Sequence, residues 1–451
     1  MFRKLGMIMA VGFAALCVSA GVSIAGETDL LVQKLVEKGV LSPNEAQILL
    51  DETKQDVARQ NAKGTNDAIP QWVQNIKVKG DTRLRFESIR DKGVKDLTHE
   101  RLRVRLGVES KVNDQMKVGI GLATGKPSDP RSRNISLGNG TDAYGTTGST
   151  GPDNTAASAK NFELDYAYAE YTPVKWATII GGKFQNPLWS PWDMIWKGDI
   201  TPEGAAVKLN YNLFPGFNVF MNDLAFVLRN PDSGIKGRQN AAMFASQIGS
   251  SWDIANSINL KSALTYYKFE GIQGQPRFSY SVGGNTATLS CTQGATASST
   301  CYNYNYDALS PSAEIGFKNP FGESVGAFIP YAAVFGDYIY NVSGKHSSTG
   351  RGGFDTGVKL GYEKVADKNQ YTLKLATSKI GANAWLDAFT DSDRYKKGYT
   401  NTQSYEGILE YGLGKSTSLS LDYYYSFQLD KQSSGNRMPE QLYQIDWNLK
   451  F

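Results

Sequence analysis

The sequence predicts an all-β membrane protein: an antiparallel transmembrane β-barrel of about 16 strands, preceded by a short N-terminal helical segment. Two observations predict it. From about residue 71 onward, apolar and polar residues alternate with a period of two, as in strands with one face toward lipid and the other toward water. The connections between these segments alternate between long and short, as expected where extracellular loops are long and periplasmic turns are tight.

The first 25 residues have the features of a secretory signal peptide. Arg3 and Lys4 precede an apolar run that ends at Val18, and small residues up to Ala25 form a cleavage site. We therefore expect export through the Sec pathway and removal of residues 1–25. The apolar run of about 14 residues is shorter than the roughly 20 that a spanning helix needs, which disfavours a retained anchor.

Residues 26–70 are predicted to form a periplasmic helical segment and linker, with two short helices within residues 28–62. Gly39 is suited to end the first helix. Ser42 and Glu45 have the spacing of a capping box at the start of the second, with Pro43 in its first turn. The segment is compatible with trimerisation, with cell-wall contact, with plugging of the lumen, or with a structural role alone.

Residues 71–451 are predicted to form the barrel, and its first two strands show the alternation most clearly. One face of the first strand carries Ile76, Val78, Gly80, Thr82, Leu84 and Phe86, and one face of the second carries Leu102, Val104, Leu106 and Val108. These faces are expected to meet lipid. Sixteen such segments are centred near residues 80, 105, 120, 167, 180, 207, 222, 246, 263, 313, 330, 358, 375, 407, 423 and 446.

The predicted connections alternate in length along the chain, with both ends of the barrel domain on the periplasmic side. The long ones lie near 87–99, 125–160, 186–200, 230–238, 270–304, 337–351, 381–402 and 429–439. The short ones lie near 112–115, 172–175, 212–216, 250–256, 319–324, 364–369 and 412–416.

The odd positions of the first two strands are mostly basic, and we expect them to line a water-filled lumen. Neighbouring strands lie about 4.8 Å apart, so these side chains would form one basic wall that attracts anions. The alternative is that they are solvated or paired with acids and confer no selectivity. The basic wall comprises Lys77, Lys79, Arg83, Arg85, Arg101, Arg103 and Arg105. The acids expected across the lumen are Glu163, Asp165, Glu314, Glu363, Glu410 and Asp422.

The third long connection is rich in tryptophan and aspartate. It could fold into the barrel and narrow it, or its tryptophans could lie at the membrane interface, where an indole has both an apolar body and a donor. The sequence leaves both open. The candidate constriction residues are Trp189, Trp192, Asp193, Trp196 and Asp199.

Cys291 and Cys301 lie ten residues apart in a Gly/Ser/Thr-rich loop. In an exported protein this spacing favours a disulfide over two free thiols. No third cysteine or histidine lies nearby, so we expect neither a zinc site nor another metal or cofactor. The formal net charge of +4 does not point to a nucleic-acid partner.

The last predicted strand alternates Tyr443, Ile445, Trp447, Leu449 and Phe451 with polar residues. It resembles the C-terminal signal of outer-membrane proteins that the barrel-assembly machinery recognises, with Tyr443, Trp447 and Phe451 as its aromatic positions.

Two stretches resemble a bacterial "putative porin" family. They are Asp165–Tyr171 and residues 181–211, which include Gly-Gly-Lys-Phe-Gln-Asn-Pro from Gly181 and Gly-Asp-Ile-Thr-Pro-Glu-Gly from Gly198. The layout of signal, short helical segment and barrel is similar too. The resemblance implies an outer-membrane channel but identifies no solute.

We therefore predict a porin: a channel in outer-membrane lipid for passive diffusion of small hydrophilic solutes and ions, with a weak anion preference and, by analogy, a homotrimeric state. The alternative is an adhesin or receptor that binds through the loops at 125–160 and 270–304. An enzyme is disfavoured because the only histidines, His99 and His346, lie in predicted loops, and no Gly-x-Ser-x-Gly or Walker-type motif is present.

Overall fold

The computed structural model describes residues 71–451 except 92–95, 127–128, 139–159, 231–239, 256, 289–290, 292–299 and 431–438, together with isolated residues between 36 and 52. The predicted signal peptide and Gly39 lie outside the described residues. The chain divides into two units, Met1–Gln74 and Asn75–Phe451. No helix in the described part of the chain is long and apolar enough to cross a membrane.

The described residues of the first unit confirm the predicted capping box. The Glu45 carboxylate accepts a hydrogen bond from the Ser42 backbone N–H at 2.9 Å, and the Ser42 hydroxyl accepts one from the Glu45 N–H at 3.3 Å. Residues 45–47, 49, 51 and 52 are helical. This unit also contains the short helix α1 (Gln71–Gln74).

Sixteen antiparallel strands of the second unit close into a barrel, as predicted. β1 pairs with both β2 and β16, so the sheet has no free edge there. In chain order the strands are β1 (Lys77–Asp91), β2 (Leu97–Lys111), β3 (Met116–Thr124), β4 (Phe162–Val174), β5 (Ala177–Lys183), β6 (Glu203–Phe214), β7 (Phe217–Arg229), β8 (Ala241–Ile254), β9 (Ile258–Glu270), β10 (Ala308–Lys318), β11 (Tyr331–Asn341), β12 (Gly352–Gly361), β13 (Tyr371–Ile380), β14 (Thr402–Gly414), β15 (Thr417–Gln428) and β16 (Glu440–Lys450).

Smaller elements lie in the connections. The two-residue strand Ile135–Ser136 pairs with β2 beside β3, and Ala287–Thr288 pairs with Cys301–Tyr302. Two short helices occur, α2 (Gly322–Gly326) and α3 (Tyr395–Gly398).

The alternation along β1 separates the two faces of the barrel as predicted. Val78 and Phe86 are 61% and 42% exposed on the outer face, whereas Arg85 and Glu87 are 3% and 4% exposed inside. Because a strand has a period of two, parity assigns an inward or outward direction to the residues of each strand between its register shifts.

Two predicted boundaries are wrong. The connection expected at 87–99 is short, since β1 continues to Asp91 and β2 begins at Leu97. His99 therefore lies in a strand, 2.7 Å from the Glu87 carboxylate, whereas His346 lies in a loop as expected. The predicted boundary is wrong because inward-facing residues become apolar at this end of the barrel. Ile89 packs inside against Leu442 and Leu97.

The connection expected at 319–324 is also longer than predicted. It extends from the end of β10 to Pro330 because it contains helix α2, and the strand centre expected near 330 lies one residue before β11. The other predicted strand centres all fall within the observed strands.

Inward-facing glycines on β2 and β3 make room for a tyrosine from β4. A Cβ atom at Gly107 would lie 1.8 Å from the Tyr166 hydroxyl, and one at Gly121 would lie 2.2 Å from the Tyr166 ring. The ladder between β3 and β4 shifts register next to Gly121. The ring therefore lies flat along the inner surface, which a larger residue at either position would prevent.

We predict that Gly121→Ala lowers the free energy of unfolding by about 1–3 kcal/mol, because the added methyl group overlaps the Tyr166 ring and forces a local shift. Urea unfolding of the purified protein measures this. Gly181→Ala on β5 is the matched control, since no other atom lies within 4 Å of a Cβ there. Equal destabilisation by both variants would contradict the prediction.

Candidate functional site

The β5–β6 loop (residues 184–202) folds into the barrel. The Trp189 backbone N–H donates a hydrogen bond to Gln247 Oε1 at 2.8 Å. The Trp192 indole donates to Glu406 Oε2 at 3.0 Å and stacks on Phe335 with ring centroids 5.1 Å apart. Gln247, Glu406 and Phe335 all face inward and are buried. The tryptophans therefore lie inside the barrel, and the alternative of a membrane-interface position is wrong.

The β13–β14 loop (residues 381–401) also enters the barrel, which the sequence analysis missed. Trp385 and Phe389 have no exposed surface. Phe389 stacks on Trp196 with ring centroids 5.3 Å apart, and the Trp385 indole donates to the Ile195 carbonyl at 2.6 Å. The signal was available in the sequence: Ala-Trp-Leu-Asp-Ala-Phe, from Ala384, is an apolar run inside a connection that would otherwise contact water.

The β9–β10 loop (residues 271–307) is joined to the β13–β14 loop through one buried carboxylate. Asp387 accepts hydrogen bonds from the Gly283 N–H at 2.9 Å, the Tyr302 hydroxyl at 3.2 Å, and the side chains of Arg277 and Ser281. The same loop contains the predicted disulfide: Cys291 and Cys301 are bonded, with Cα atoms 5.4 Å apart.

Together these loops form an apolar cluster against one side of the barrel interior. The wall contributes buried residues from β5 through β13, including Phe226, Met243, Phe269 and Ile339. This side is filled with apolar side chains. The loops also contact charged residues of β1 and β2, since Asp199 lies 3.7 Å from Arg103 and Asp393 lies 3.3 Å from Arg85.

The predicted basic wall is present, but carboxylates pair with its arginines. Arg85 binds Asp446 through two hydrogen bonds of 2.6 and 2.7 Å, and Arg83 lies 3.4 Å from the same carboxylate. Arg101 lies 3.4 Å from Glu87. Each of these acids projects from β1 or β16, inside the same patch of wall.

The β5–β6 loop supplies a further acid to this wall. Arg103 and Arg105 bind Asp81 at 2.9 and 2.7 Å, and both approach Asp199 of the loop, at 3.7 and 3.4 Å. Burial would raise the pKa of Asp199, but Arg103 and its neighbours lower it below its ordinary value. Asp199 is thus ionised and offsets arginine charge.

The two lysines of the wall differ from each other. Lys79 forms a 2.6 Å ion pair with Glu109. Lys77 is exposed near the short-turn end and has no acid within 4 Å among the described residues. Most of the positive charge of the basic wall is therefore compensated at short range, and the wall alone does not predict anion selectivity.

A second charge network joins the two loops. Lys197 binds Asp391 and lies 2.8 Å from Asp393, while Arg394 binds Glu406 and lies 3.6 Å from Asp193. Burial and the nearby Asp193 raise the pKa of Asp391 to about 6. Burial also opposes ionisation of Asp393, but Lys197 and Arg85 lower its pKa well below the ordinary value.

The predicted acids do not form a wall opposite the arginines. In a closed barrel of sixteen strands, β9 and β10 lie half a circumference from β1 and β2. Only Glu314, on β10, lies there, and it binds Lys359. Glu363 lies in the turn after β12 rather than in a strand. The expectation of opposed acidic and basic walls is wrong because the predicted acids are spread over β4, β10, β14, β15 and a turn instead of gathering opposite β1 and β2.

The remaining predicted acids flank the basic wall. Asp165 on β4 binds Arg133 at 2.8 Å, and Glu163 lies on the same strand. Glu410 on β14 accepts a hydrogen bond from Ser418 at 2.7 Å. Asp422 on β15 accepts one from Ser420.

A family model described as "putative porin" matches residues 90–305 and 297–451. The chain belongs to this porin family. A search of curated proteins found no match. A high-pH structure of OprB from Pseudomonas putida matches with a TM-score of 0.50 at 11% identity, over 84% of this chain and 95% of that chain. A triple mutant of Rhodopseudomonas blastica porin matches with a TM-score of 0.40 at 11% identity, over 83% of this chain and 100% of that chain.

At such identities the structural likeness concerns the fold alone. The family and the fold together indicate a non-enzymatic outer-membrane channel of the porin type. The C-terminal strand of this porin has the predicted outward aromatic face, with Trp447 44% exposed. Phe451 exchanges backbone hydrogen bonds of 2.8 and 3.0 Å with Gly80, at the seam between β16 and β1.

Two lysines inside the porin contact aromatic rings instead of forming close ion pairs, although Lys261 is directly opposite Glu314 in the ladder. Lys261 lies over the Trp189 ring at 4.7 Å, and Lys374 lies over the Trp192 ring at 5.3 Å. Neither has a carboxylate within 4 Å in the described part of the chain. Lys374 is moreover directly opposite Lys359 in the ladder, and like charges in that position repel.

Lys374 borders a cavity of about 530 Å³ beneath the β5–β6 loop. The cavity combines charged, amide and apolar side chains, as expected of a wet passage rather than a packed core. Its lining includes Gln185, Asn186, Trp192, Asp193, Lys374 and Ile408. Gln185 and Asn186 also line a second cavity, of about 310 Å³, beside Lys79 and Glu109 of the basic wall.

We predict that Trp385→Ala loosens both loops and increases single-channel conductance. Truncating a buried tryptophan costs about 3–5 kcal/mol, and it leaves the Ile195 carbonyl without its donor. Urea unfolding and planar-bilayer conductance measure the two effects. Trp252→Ala, at an outward position that is 41% exposed, should leave conductance unchanged. Unchanged conductance in a folded Trp385→Ala variant would contradict this assignment.

The raised pKa of Asp391 predicts a pH dependence of stability. An acid whose pKa is higher in the folded than in the unfolded protein contributes stability at low pH, and this contribution is lost as pH rises through the folded value. The free energy of unfolding should therefore contain a component that decreases between about pH 4 and the Asp391 pKa of about 6. Asp391→Asn should remove it, whereas Asp96→Asn, in an exposed loop, should not. Parallel pH profiles for all three proteins would refute the prediction.

Proposed function

We propose that this porin mediates passive diffusion of small hydrophilic solutes and ions across the outer membrane. One observation carries the proposal: the loops that enter the barrel do not fill it, since cavities of about 530 and 310 Å³ with polar side chains in their lining remain beside the β5–β6 loop. A passage that is narrowed on one side by loops and lined with fixed charges selects by size and charge without chemistry.

We infer that the anion preference predicted from the sequence arises from Lys261 and Lys374 rather than from the basic wall. The arginines of that wall each lie within 4 Å of a carboxylate, so they contribute little net field at a distance. The two lysines contact aromatic faces instead, and their charge is available to a passing anion.

The adhesin alternative receives less support, because the described parts of both candidate binding loops pack inside the barrel. In the loop after β3, the Arg131 guanidinium donates to the Asp387 carbonyl at 3.1 Å and has no exposed surface. In the β9–β10 loop, Tyr302 and Tyr306 belong to the apolar cluster.

Export, assembly and oligomeric state follow as parts of the proposal. We expect cleavage after Ala25, insertion by the barrel-assembly machinery through the terminal strand with Tyr443, Trp447 and Phe451, and a homotrimer by analogy with general porins. Its partners would then be outer-membrane lipid, the barrel-assembly machinery, small polar solutes or ions, and two further copies of itself.

The channel is tested by single-channel recording of purified protein in planar bilayers. We expect steady conductance steps and, under a salt gradient, a reversal potential that favours chloride. Absence of conductance from a folded, heat-modifiable barrel would overturn the porin proposal.

The origin of selectivity is tested in the same recording. Lys261→Met combined with Lys374→Met should shift the reversal potential toward zero, because it removes two positive charges that form no ion pair within 4 Å among the described residues. Arg103→Gln combined with Asp81→Asn removes an ion pair without changing net charge, and should leave the reversal potential unchanged. If the arginine double variant loses the preference while the lysine double variant keeps it, the basic wall is the selective element.

A further inference from the structure

A buried pair of aspartates lies inside the barrel without an opposite charge between them. Asp337 on β11 and Asp355 on β12 are directly opposite each other in the ladder. Both face inward, and they are 4% and 1% exposed. Residues opposite each other in a sheet have Cβ atoms about 4.5–5.5 Å apart, so the two carboxylates lie close to each other.

The two carboxylates differ in their partners. Asp337 lies within hydrogen-bond distance of three hydroxyls, from Ser310 at 3.0 Å, Ser312 at 2.8 Å and Ser190 at 3.1 Å. Neither oxygen of Asp355 has a hydrogen-bond donor. Three hydroxyl donors favour the ionised form of Asp337, whereas Asp355 is buried with no hydrogen-bond donor to stabilise its charge.

The surroundings add further negative charge. The charged groups that interact electrostatically with Asp355 include Asp337, Arg394, Glu406 and Asp193. The single cation among them, Arg394, is already bound to Glu406, with its Nη2 3.2 Å from Oε2. The like-charge pair Arg83–Arg103 in the basic wall, by contrast, has Asp446, Asp81 and Asp199 around it.

A buried ionised carboxylate without a partner is too costly to persist, so a proton or a cation must neutralise Asp355. A proton would neutralise Asp355 alone and leave the surrounding excess of acids in place. A divalent cation would offset both aspartates at once. Hydroxyl groups of Ser190, Ser310 and Ser312 surround Asp337, and oxygen atoms are the ligands that hard cations prefer.

We propose that Asp337 and Asp355 bind a hard divalent cation such as Ca²⁺ between β11 and β12. No group of three or more His, Cys, Asp or Glu side chains that could hold a metal occurs in the part of the chain that the structure describes. The protein would therefore supply two carboxylates, and serine hydroxyls and water would complete the coordination, which Ca²⁺ tolerates because its geometry is flexible.

Such a cation would connect the barrel wall to the β5–β6 loop. The Ser190 hydroxyl, which lies beside Asp337, is also 2.6 Å from the Trp192 carbonyl. Trp192 in turn stacks on Phe335, which lies two residues before Asp337 on β11. Bound Ca²⁺ would thus hold the segment that narrows the lumen against the wall, and its removal would free that segment.

The experiment uses protein purified from outer membranes into detergent and freed of divalent ions. Tb³⁺, which replaces Ca²⁺, is titrated in while its luminescence is excited through nearby Trp192, and Ca²⁺ then competes. We expect one saturable site in the wild type. Asp355→Asn should weaken Tb³⁺ binding by about tenfold or more, since loss even of a group that merely supports a ligand costs about 10- to 100-fold. Asp422→Asn, an inward aspartate on β15 that accepts from Ser420, should bind as the wild type does.

A second measurement separates binding from a folding defect. The unfolding temperature of the wild type should rise when Ca²⁺ is added, and Asp355→Asn should abolish this rise. Without calcium, Asp355→Asn should unfold at a higher temperature than the wild type, because the substitution removes the uncompensated charge. The proposal would be overturned in favour of a proton by two results together. Tb³⁺ would show no saturable binding, and the wild type would show an infrared band of a protonated carboxyl group that is lost in Asp355→Asn. A Ca²⁺ shift that persists in Asp355→Asn would equally overturn it.

Discussion

Every backbone N–H and C=O group in the lipid must find its hydrogen-bond partner within the protein, because the bilayer core offers no water. Closure between β1 and β16 meets this requirement, and the pairing extends to the contact between Gly80 and Phe451. Once the sheet is closed, every second side chain of every strand points into one shared interior. The content of that interior then depends on what the strands and loops bring into it.

The interior is divided between an apolar side and a charged side. Loop residues such as Trp196, Trp385 and Phe389 pack against the inner surface of β5 to β13, and burial of these large apolar groups stabilises the loops there. The other side is lined by ionic groups of β1, β2 and β16. The loops reach this charged side too, because Asp199 approaches Arg103 and Asp393 approaches Arg85. Apolar packing and ion pairs together therefore hold the loops inside the barrel.

Charge compensation varies from place to place within this interior. Arginines that repel one another across β1 and β2 are each paired with a carboxylate from the wall or from Asp199. Lys374 has a ring face in place of an acid, and Asp355 has no partner for either oxygen. An external ion gains the most free energy by binding at the uncompensated groups, not at the densest cluster of charge. This contrast is the basis of the proposed anion preference at the lysines and of the proposed cation between the aspartates.

The sequence by itself determined the barrel, its sixteen strands and the inward or outward direction of most side chains, because a closed sheet in lipid enforces a period of two that is visible residue by residue. It also identified the tryptophan-rich β5–β6 loop and the cysteine pair as notable. Only the tertiary structure decided that Trp192 lies inside the barrel, that residues 381–401 join it there, and that Asp199 and Asp446 neutralise the arginines. These facts depend on contacts such as Arg85 with Asp446, which lie 361 positions apart in the chain, and no local period encodes which distant side chains meet once the sheet has closed.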